Sequence, residues 1–318
     1  MSDDLVTFGE SMLRLSPPDD GRVETAQSLE VHAAGAESNA AIAAERMGAV
    51  ASWMSKLPDN PPGRRVANGV RQHDIDVDVV WADEGRVGTY YLEHGGKPRG
   101  TNVVYDRAES VVSQAEAGEF NLDRIRQASA FYTTGITPAL SKTARETTMN
   151  LIGVARQAGT MTAMDVNYRA KLWTPKAARS TLTRLWKGID VLIIGMKDAE
   201  RVLDYEGKPE QLAHHLASEY DFQTVVVTRG ANGALAWHDN VIHRQDAFET
   251  DTHDPIGSGD AFTGAFLARR LSGDDVPKSL QYAAATAAMK RTIPGDVATV
   301  TKREVEQVIS ERAGSISR

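Results

Sequence analysis

The chain has 318 residues, 41% of them hydrophobic and 25% charged, a globular composition with enough apolar material for a large core. A net charge of -7, with Lys and Arg scattered, offers no basic surface for nucleic acid or an anionic membrane. The absence of cysteine excludes disulfides, thiolate-ligated metals and thiol catalysis. The acidic start, Met1-Ser2-Asp3-Asp4-Leu5, lacks the basic and apolar regions of a signal peptide. No stretch approaches the ~18 apolar residues of a membrane span, so a soluble cytoplasmic protein is expected.

In chain order, Leu5 to Glu10 reads as a short buried strand. Residues 12–33 alternate Leu13 and Leu15 with polar residues and then turn at Pro17-Pro18-Asp19-Asp20-Gly21, which suits an exposed hairpin. Glu37 to Met47 is an Ala-rich helix stopped at Gly48. Ala51 to Leu57 is a strand and Arg64 to His73 a helix, and residues 75–106 return to strand-like alternation.

From about residue 120 strands and helices alternate. Strands are expected at Ala130 to Gly135, Thr160 to Asp165, Asp190 to Ile194 and Thr224 to Thr228, with a hairpin over Gly233 to His243. Helices are expected at Ser141 to Ala158, Ala177 to Trp186, Asp198 to Leu203, Pro209 to Tyr220, Asp260 to Leu271, Pro277 to Arg291 and Lys302 to Glu311. The pattern implies an α/β fold, with a mostly parallel sheet covered on both faces. The segments at about 12–33 and 75–108 interrupt it and are expected to pair as a small projecting sheet on a single domain spanning 1–318.

The densest chemistry is the segment Gly257-Ser258-Gly259-Asp260-Ala261-Phe262, where small residues enter an apolar helix. Unpaired N–H groups and the helix dipole attract phosphate there, and Gly257 and Gly259 allow close approach. Asp260 could take a proton from an attacking hydroxyl beside that anion site, or simply cap the helix; the local residues leave both open.

Asp254-Pro255-Ile256-Gly257-Ser258-Gly259-Asp260-Ala261-Phe262 resembles the C-terminal signature of the ribokinase-like (PfkB) carbohydrate kinases. Pro255, Ile256 and Ser258 depart from its usual Thr, Thr and Ala, which leaves a monovalent-cation loop undetermined. Three further elements match in order. They are the opening strand at Leu5 to Glu10, Gly35-Ala36-Glu37-Ser38-Asn39-Ala40-Ala41, and Val225 to Ala234 through Thr228-Arg229-Gly230.

The resemblance implies a three-layer ribokinase-like fold with a β-sheet lid that often forms a dimer interface. It also implies ATP as cofactor, with Mg²⁺, and Asp260 as general base beside an anion hole of Gly257, Ser258 and Gly259. Thr228, Gly230 and Gly233 are expected at the nucleotide, and Ala284 and Ala287 at the adenine. Lys290 is expected to be a solvated helix charge. Where many relatives have Asn-x-x-Glu, the chain has Gly195-Met196-Lys197-Asp198, with Asp198 at the Glu position. That leaves Asp198 to organise metal-bound water.

The segment Asp165-Val166-Asn167-Tyr168-Arg169-Ala170-Lys171-Leu172-Trp173 and the triplet Tyr105-Asp106-Arg107 are similar to stretches of 2-keto-3-deoxygluconate kinases. The expected substrate contacts are Gly35, Ala36, Glu37, Ser38, Asn39, Tyr90, Tyr105, Arg107, Arg169 and Asp296. Asn167 and Arg169 are also expected on the cofactor side. Arg107 and Arg169 would face a carboxylate, which a neutral sugar does not carry. The expectation is therefore ATP-dependent phosphorylation of 2-keto-3-deoxygluconate to 2-keto-3-deoxy-6-phosphogluconate, an Entner–Doudoroff type step. The alternatives are the galactonate epimer, fructose or ribose as acceptor, or a non-catalytic sugar sensor. A Rossmann dehydrogenase is disfavoured, since Phe8-Gly9-Glu10-Ser11-Met12 lacks its glycine fingerprint. A P-loop and a protein-kinase catalytic loop are both missing.

Overall fold

The computed structural model describes residues 3–95 and 98–316, so Met1 and Ser2 of the acidic start lie outside the described residues. The first strand, β1 (Leu5–Phe8), is followed by β2 (Met12–Ser16), β3 (Glu30–Ala34), α1 (Ala36–Arg46), β4 (Ala51–Pro58), α2 (Pro61–Arg71) and β5 (Asp76–Ala82). Next come β6 (Thr89–Glu93), β7 (Asn102–Asp106), α3 (Leu122–Gln127), β8 (Ala130–Thr134), α4 (Lys142–Ala158) and β9 (Met161–Asp165). The chain continues with α5 (Pro175–Leu185), β10 (Val191–Gly195), α6 (Met196–Leu203), α7 (Pro209–Tyr220), β11 (Thr224–Thr228), β12 (Ala234–His238) and β13 (Val241–Gln245). It ends with α8 (Ser258–Leu271), α9 (Val276–Lys290) and α10 (Lys302–Ile316).

Local chemistry accounts for several boundaries. Asn60 accepts the Gly63 N–H at 3.0 Å and Pro61 opens α2, so that helix starts before Arg64. Ser141 caps α4, and Gly159 ends it at φ 79°. Asp239 and Asn240, both at positive φ, make the tight β12–β13 turn.

The large sheet runs β13-β12-β11-β10-β9-β8-β1-β4-β5. It is parallel from β11 to β5, with the antiparallel β12–β13 hairpin on one edge. One apolar cluster on it joins side chains of α1, α2, α8, α9 and α10; a second joins those of α3, α4, α5, α6 and α7. These are the three expected layers. The α1 and α8 backbones cross so closely that a Cβ at Gly264 would lie 2.1 Å from the Ala40 carbonyl oxygen. That crossing sets Asn39 beside Asp260.

The second sheet, β3-β2-β6-β7, is the lid. Its inner side carries Met12, Ala34, Tyr90 and Leu92, packed with Val103, Tyr105 and Ile256. Two expectations need correction. Residues 76–82 belong to the large sheet, because β5 pairs along β4 in parallel; a half-buried edge strand has the same alternation as a lid strand. The 12–33 hairpin is not simply exposed, since Met12, Arg14 and Ser16 are buried on one face of β2. Among the described residues no helix is long and apolar enough to cross a membrane.

Candidate active site

The carboxyl ends of β1, β8, β9, β10 and β11, the entry of α8 and the inner face of the lid enclose one cavity of about 450 Å³. Ligands bind at this edge of open α/β sheets, outside the strand ends and near the switch in strand order. Of the expected residues, Gly35, Ala36, Asn39, Tyr90, Tyr105, Arg107, Asn167, Arg169, Asp198, Thr228, Gly257, Gly259, Asp260 and Asp296 line it. A second cavity of about 170 Å³ joins Thr228, Gly230, Gly233, Ser258, Gly259, Ala284 and Ala287 with Phe248 and Phe262. Thr228 and Gly259 line both, so an elongated ligand can pass from one to the other.

Asp260 sits in the first turn of α8 and accepts a hydrogen bond from Asn39 Nδ2 at 2.8 Å. Its carboxyl opens into the larger cavity, yet the protein crowded around it pushes its pKa up to about 6 by desolvation. Ser258 donates its N–H to Pro255 O at 3.3 Å, and Ala261 donates to Gly257 O at 2.8 Å. The amides between them, of Gly259 and Asp260, have no backbone partner among the described residues. A carboxylate thus stands beside two anion-seeking amides. The Ser258 hydroxyl turns back to Pro255 O at 2.7 Å.

Gly257 holds φ 77°, and an added Cβ would fall 1.8 Å from Asp296 O. Only glycine fits this turn.

Two more carboxylates border the cavity. Asp165 ends β9, and its Oδ1 accepts the Asn167 N–H at 3.1 Å, closing the turn that sets Asn167 at φ 38°. Desolvation, with the neighbouring Asp198 and Asp260 charges, pushes Asp165 up to about 8. Asp198 accepts the Tyr168 N–H at 3.1 Å and is also raised by burial. Two carboxylates that repel each other at a cavity wall suit a cation held largely by phosphate and water. Among the described residues no group of three acidic or His side chains forms a ready metal cage.

Several expected contacts differ. Glu37 is fully buried behind the cavity: its Oε1 accepts Thr134 N–H at 3.1 Å and the Thr134 and Thr137 hydroxyls at 2.8 Å. Desolvation raises it to about 7. Ser38 is buried too, bonded to Ser11 Oγ at 2.5 Å and Gly35 O at 3.1 Å. Both face inward because α1 enters the core at its first turn. Arg107 is ion-paired with Glu10, which also accepts the Ser110 hydroxyl at 2.6 Å, so its charge is already balanced. Its buried Nε–H still lacks a partner. Arg169 forms no ion pair among the described residues and is the exposed cation of the cavity.

Asp296 accepts the Tyr90 hydroxyl at 3.0 Å and pairs with Arg14 at 2.7 Å. Lys290 is not solvated. It is fully buried, and its ammonium donates to Asp254 O and Ile293 O, each at 3.0 Å.

A family model described as pfkB family carbohydrate kinase matches residues 2–303. The chain belongs to that family. It is 53% identical over 318 residues, all of both chains, to 2-dehydro-3-deoxygalactonokinase of Haloferax volcanii. It is 32% identical to 2-dehydro-3-deoxygluconokinase of Thermoproteus tenax, over 96% of this chain and 94% of the relative. The crystal structure of 2-dehydro-3-deoxygluconokinase from Thermotoga maritima superposes with a TM-score of 0.90 at 33% identity, covering 98% of this chain and 99% of that one.

Glu10, Arg14, Asp165 and Asp254, none of them among the expected site residues of this pfkB kinase, also lie at or beside the cavity. Asp254 and Asp165 open the two motifs already quoted, which was the available signal. Arg14 was detectable only as a charge in phase with Met12 on β2.

The smaller cavity gathers Gly230, Gly233, Ala284 and Ala287, the residues expected at the nucleotide. Ala287→Leu should fill it and raise KM for ATP at least ~10-fold, with a smaller change for the phosphoryl acceptor. Steady-state kinetics with each substrate varied in turn checks this.

Proposed function

We propose that this pfkB-family kinase transfers the γ-phosphoryl group of ATP to a hydroxyl of a 2-keto-3-deoxy sugar acid. The observation that carries the reading is Asp260, bonded to Asn39 and flanked by two unpartnered amides, in one cavity with the lid's tyrosines and two arginines. Asp260 accepts the hydroxyl proton while the Gly259 and Asp260 amides face the charge on the transferred group. Adenine lies against Ala284 and Ala287, and the phosphates run past Thr228 and Gly259. Mg²⁺ bound to ATP offsets phosphate charge, and Asp165 and Asp198 would meet its water shell. Arg169, the exposed cation of the cavity, is the donor for the acid's carboxylate.

The sequence pointed to the gluconate acid. The similarity to the Haloferax volcanii protein, 53% against 32% for the Thermoproteus tenax one, favours the galactonate epimer. A coupled ADP-release assay tests this across both epimers, fructose and ribose. The galactonate acid should show kcat/KM at least ~10-fold above its epimer. Neutral sugars, lacking the charged hydrogen bonds, should fall at least ~100-fold below. Preference for fructose would overturn the acid assignment.

The lid also belongs to a proposed homodimer interface, with Val31 and Val104 exposed on its strands. Light scattering decides the oligomeric state.

A further inference from the structure

Arg14 lies on β2, in the lid, yet its guanidinium is buried against residues of the kinase body. Nη1 donates to Asp296 Oδ2 at 2.7 Å, and Nη1 and Nη2 reach Asp254 Oδ2 at 3.4 and 3.3 Å. Nε donates to Ser16 Oγ at 2.8 Å, and Nη2 lies 2.6 Å from His94 Nε2. A guanidinium only donates, so this His94 nitrogen accepts.

The two carboxylates that Arg14 grips hold the backbone on either side of the anion-binding turn. Asp254 Oδ1 accepts the Ile256 N–H at 3.0 Å, one residue before Gly257, and its Oδ2 accepts the Gly295 N–H at 3.0 Å. Asp296 O packs directly on Gly257. Tyr90, on lid strand β6, donates to the other oxygen of Asp296. Two lid strands therefore bind the segments that shape the Gly257–Asp260 turn, and they do so through charged groups out of water.

Buried ion pairs seldom stabilise a fold more than apolar packing of the same volume would, because desolvation offsets their attraction. A short-range, directional link between a lid and a catalytic turn is a role that apolar packing would not supply. Because the same lid carries Tyr105 and is followed by Arg107 over the acceptor end of the cavity, acceptor contacts and the phosphoryl site share one mechanical connection.

We propose that Arg14 is a positioning residue that transmits the seating of the lid on the acceptor to the anion-binding turn, making acceptor and ATP bind cooperatively. The proposal rests on the kinase reading above.

Calorimetric titration of a non-hydrolysable ATP analogue, with and without saturating acceptor, measures the link. The acceptor used is whichever sugar turns over in the ADP-release assay, so a wrong acid assignment leaves this test intact. In the wild type the acceptor should tighten analogue binding ~10-fold, a common size for coupled sites. Arg14→Met and Tyr90→Phe should each reduce that factor to below ~2-fold, and Arg14→Lys should restore part of it. If Arg14→Met does not fold, Tyr90→Phe decides alone, since it deletes one hydroxyl and strands no charge. Absence of coupling in the wild type overturns the proposal. So does wild-type coupling in folded Arg14→Met or in Tyr90→Phe.

Discussion

Asp260→Asn should slow phosphoryl transfer by at least ~100-fold, measured as a single-turnover rate with enzyme in excess. The substitution keeps the shape and leaves an oxygen for Asn39 Nδ2, which now donates at 2.8 Å, so folding and binding should be largely preserved. What it removes is the acceptor for the hydroxyl proton. The pH profile gives a second signature. Desolvation holds the Asp260 carboxyl at about 6, above the ordinary aspartate range. A base works only when ionised, so the wild-type rate should be full above that pH and fall tenfold per unit well below it. Asp260→Asn should lack this limb. Asp165 is pushed up further, to about 8, by desolvation with the Asp198 and Asp260 charges among the causes. Asp260, bonded to Asn39 and open to the larger cavity, is the base in the proposed mechanism. An unchanged single-turnover rate, or a surviving limb in the variant, would remove Asp260 from that role.

Gly257→Ala is the second large effect expected. The residue sits at φ 77°, where a side chain costs about 1–3 kcal/mol, and its Cβ would meet Asp296 O at 1.8 Å. That oxygen is backbone on a segment held by the Gly295–Asp254 and Asp296–Arg14 bonds, so it cannot give way cheaply. Either the turn opens and the Gly259 and Asp260 amides lose their aim, or the 294–296 segment shifts. Both distort the phosphoryl site. We expect at least a ~100-fold loss in kcat, the size seen when a single oxyanion donor is lost. A drop of several degrees in Tm should accompany it. Near-normal turnover would show that the turn does not hold the transferred group. Gly153→Ala is the control, since a Cβ there meets nothing within 4 Å, φ is ordinary, and the residue lies on α4 outside both cavities.

Much of this was legible before the structure. The alternation of strands and helices after residue 120 produced the layered sheet, because buried parallel strands such as Val225-Val226-Val227 read as continuous apolar runs. Asp260, Asn39, Ala284 and Ala287, which the family resemblance singled out, line the two cavities. The partners of four charged residues escaped local pattern for a common reason. Glu37, Arg107, Asp296 and Lys290 were read as single charges, but each is defined by a partner distant in sequence: Thr134, Glu10, Arg14 and the Asp254 carbonyl. Local pattern tells which residue types are present and which face they share. It does not tell which charges are already neutralised when the lid meets the body. Strand β5 was misplaced for a similar reason, since Val77 and Val79 alternate with Asp alike on a lid or on a sheet edge.

The proposed reaction moves the γ-phosphoryl group of ATP to a sugar-acid hydroxyl. Phosphorus NMR of enzyme, Mg-ATP and 2-keto-3-deoxygalactonate follows it directly. The γ-phosphate signal should be lost, matched by a new phosphomonoester resonance on the sugar acid, with at least ~100-fold slower appearance for Asp260→Asn. Inorganic phosphate as the only product, or a phosphomonoester formed from fructose but not from the acid, would contradict it.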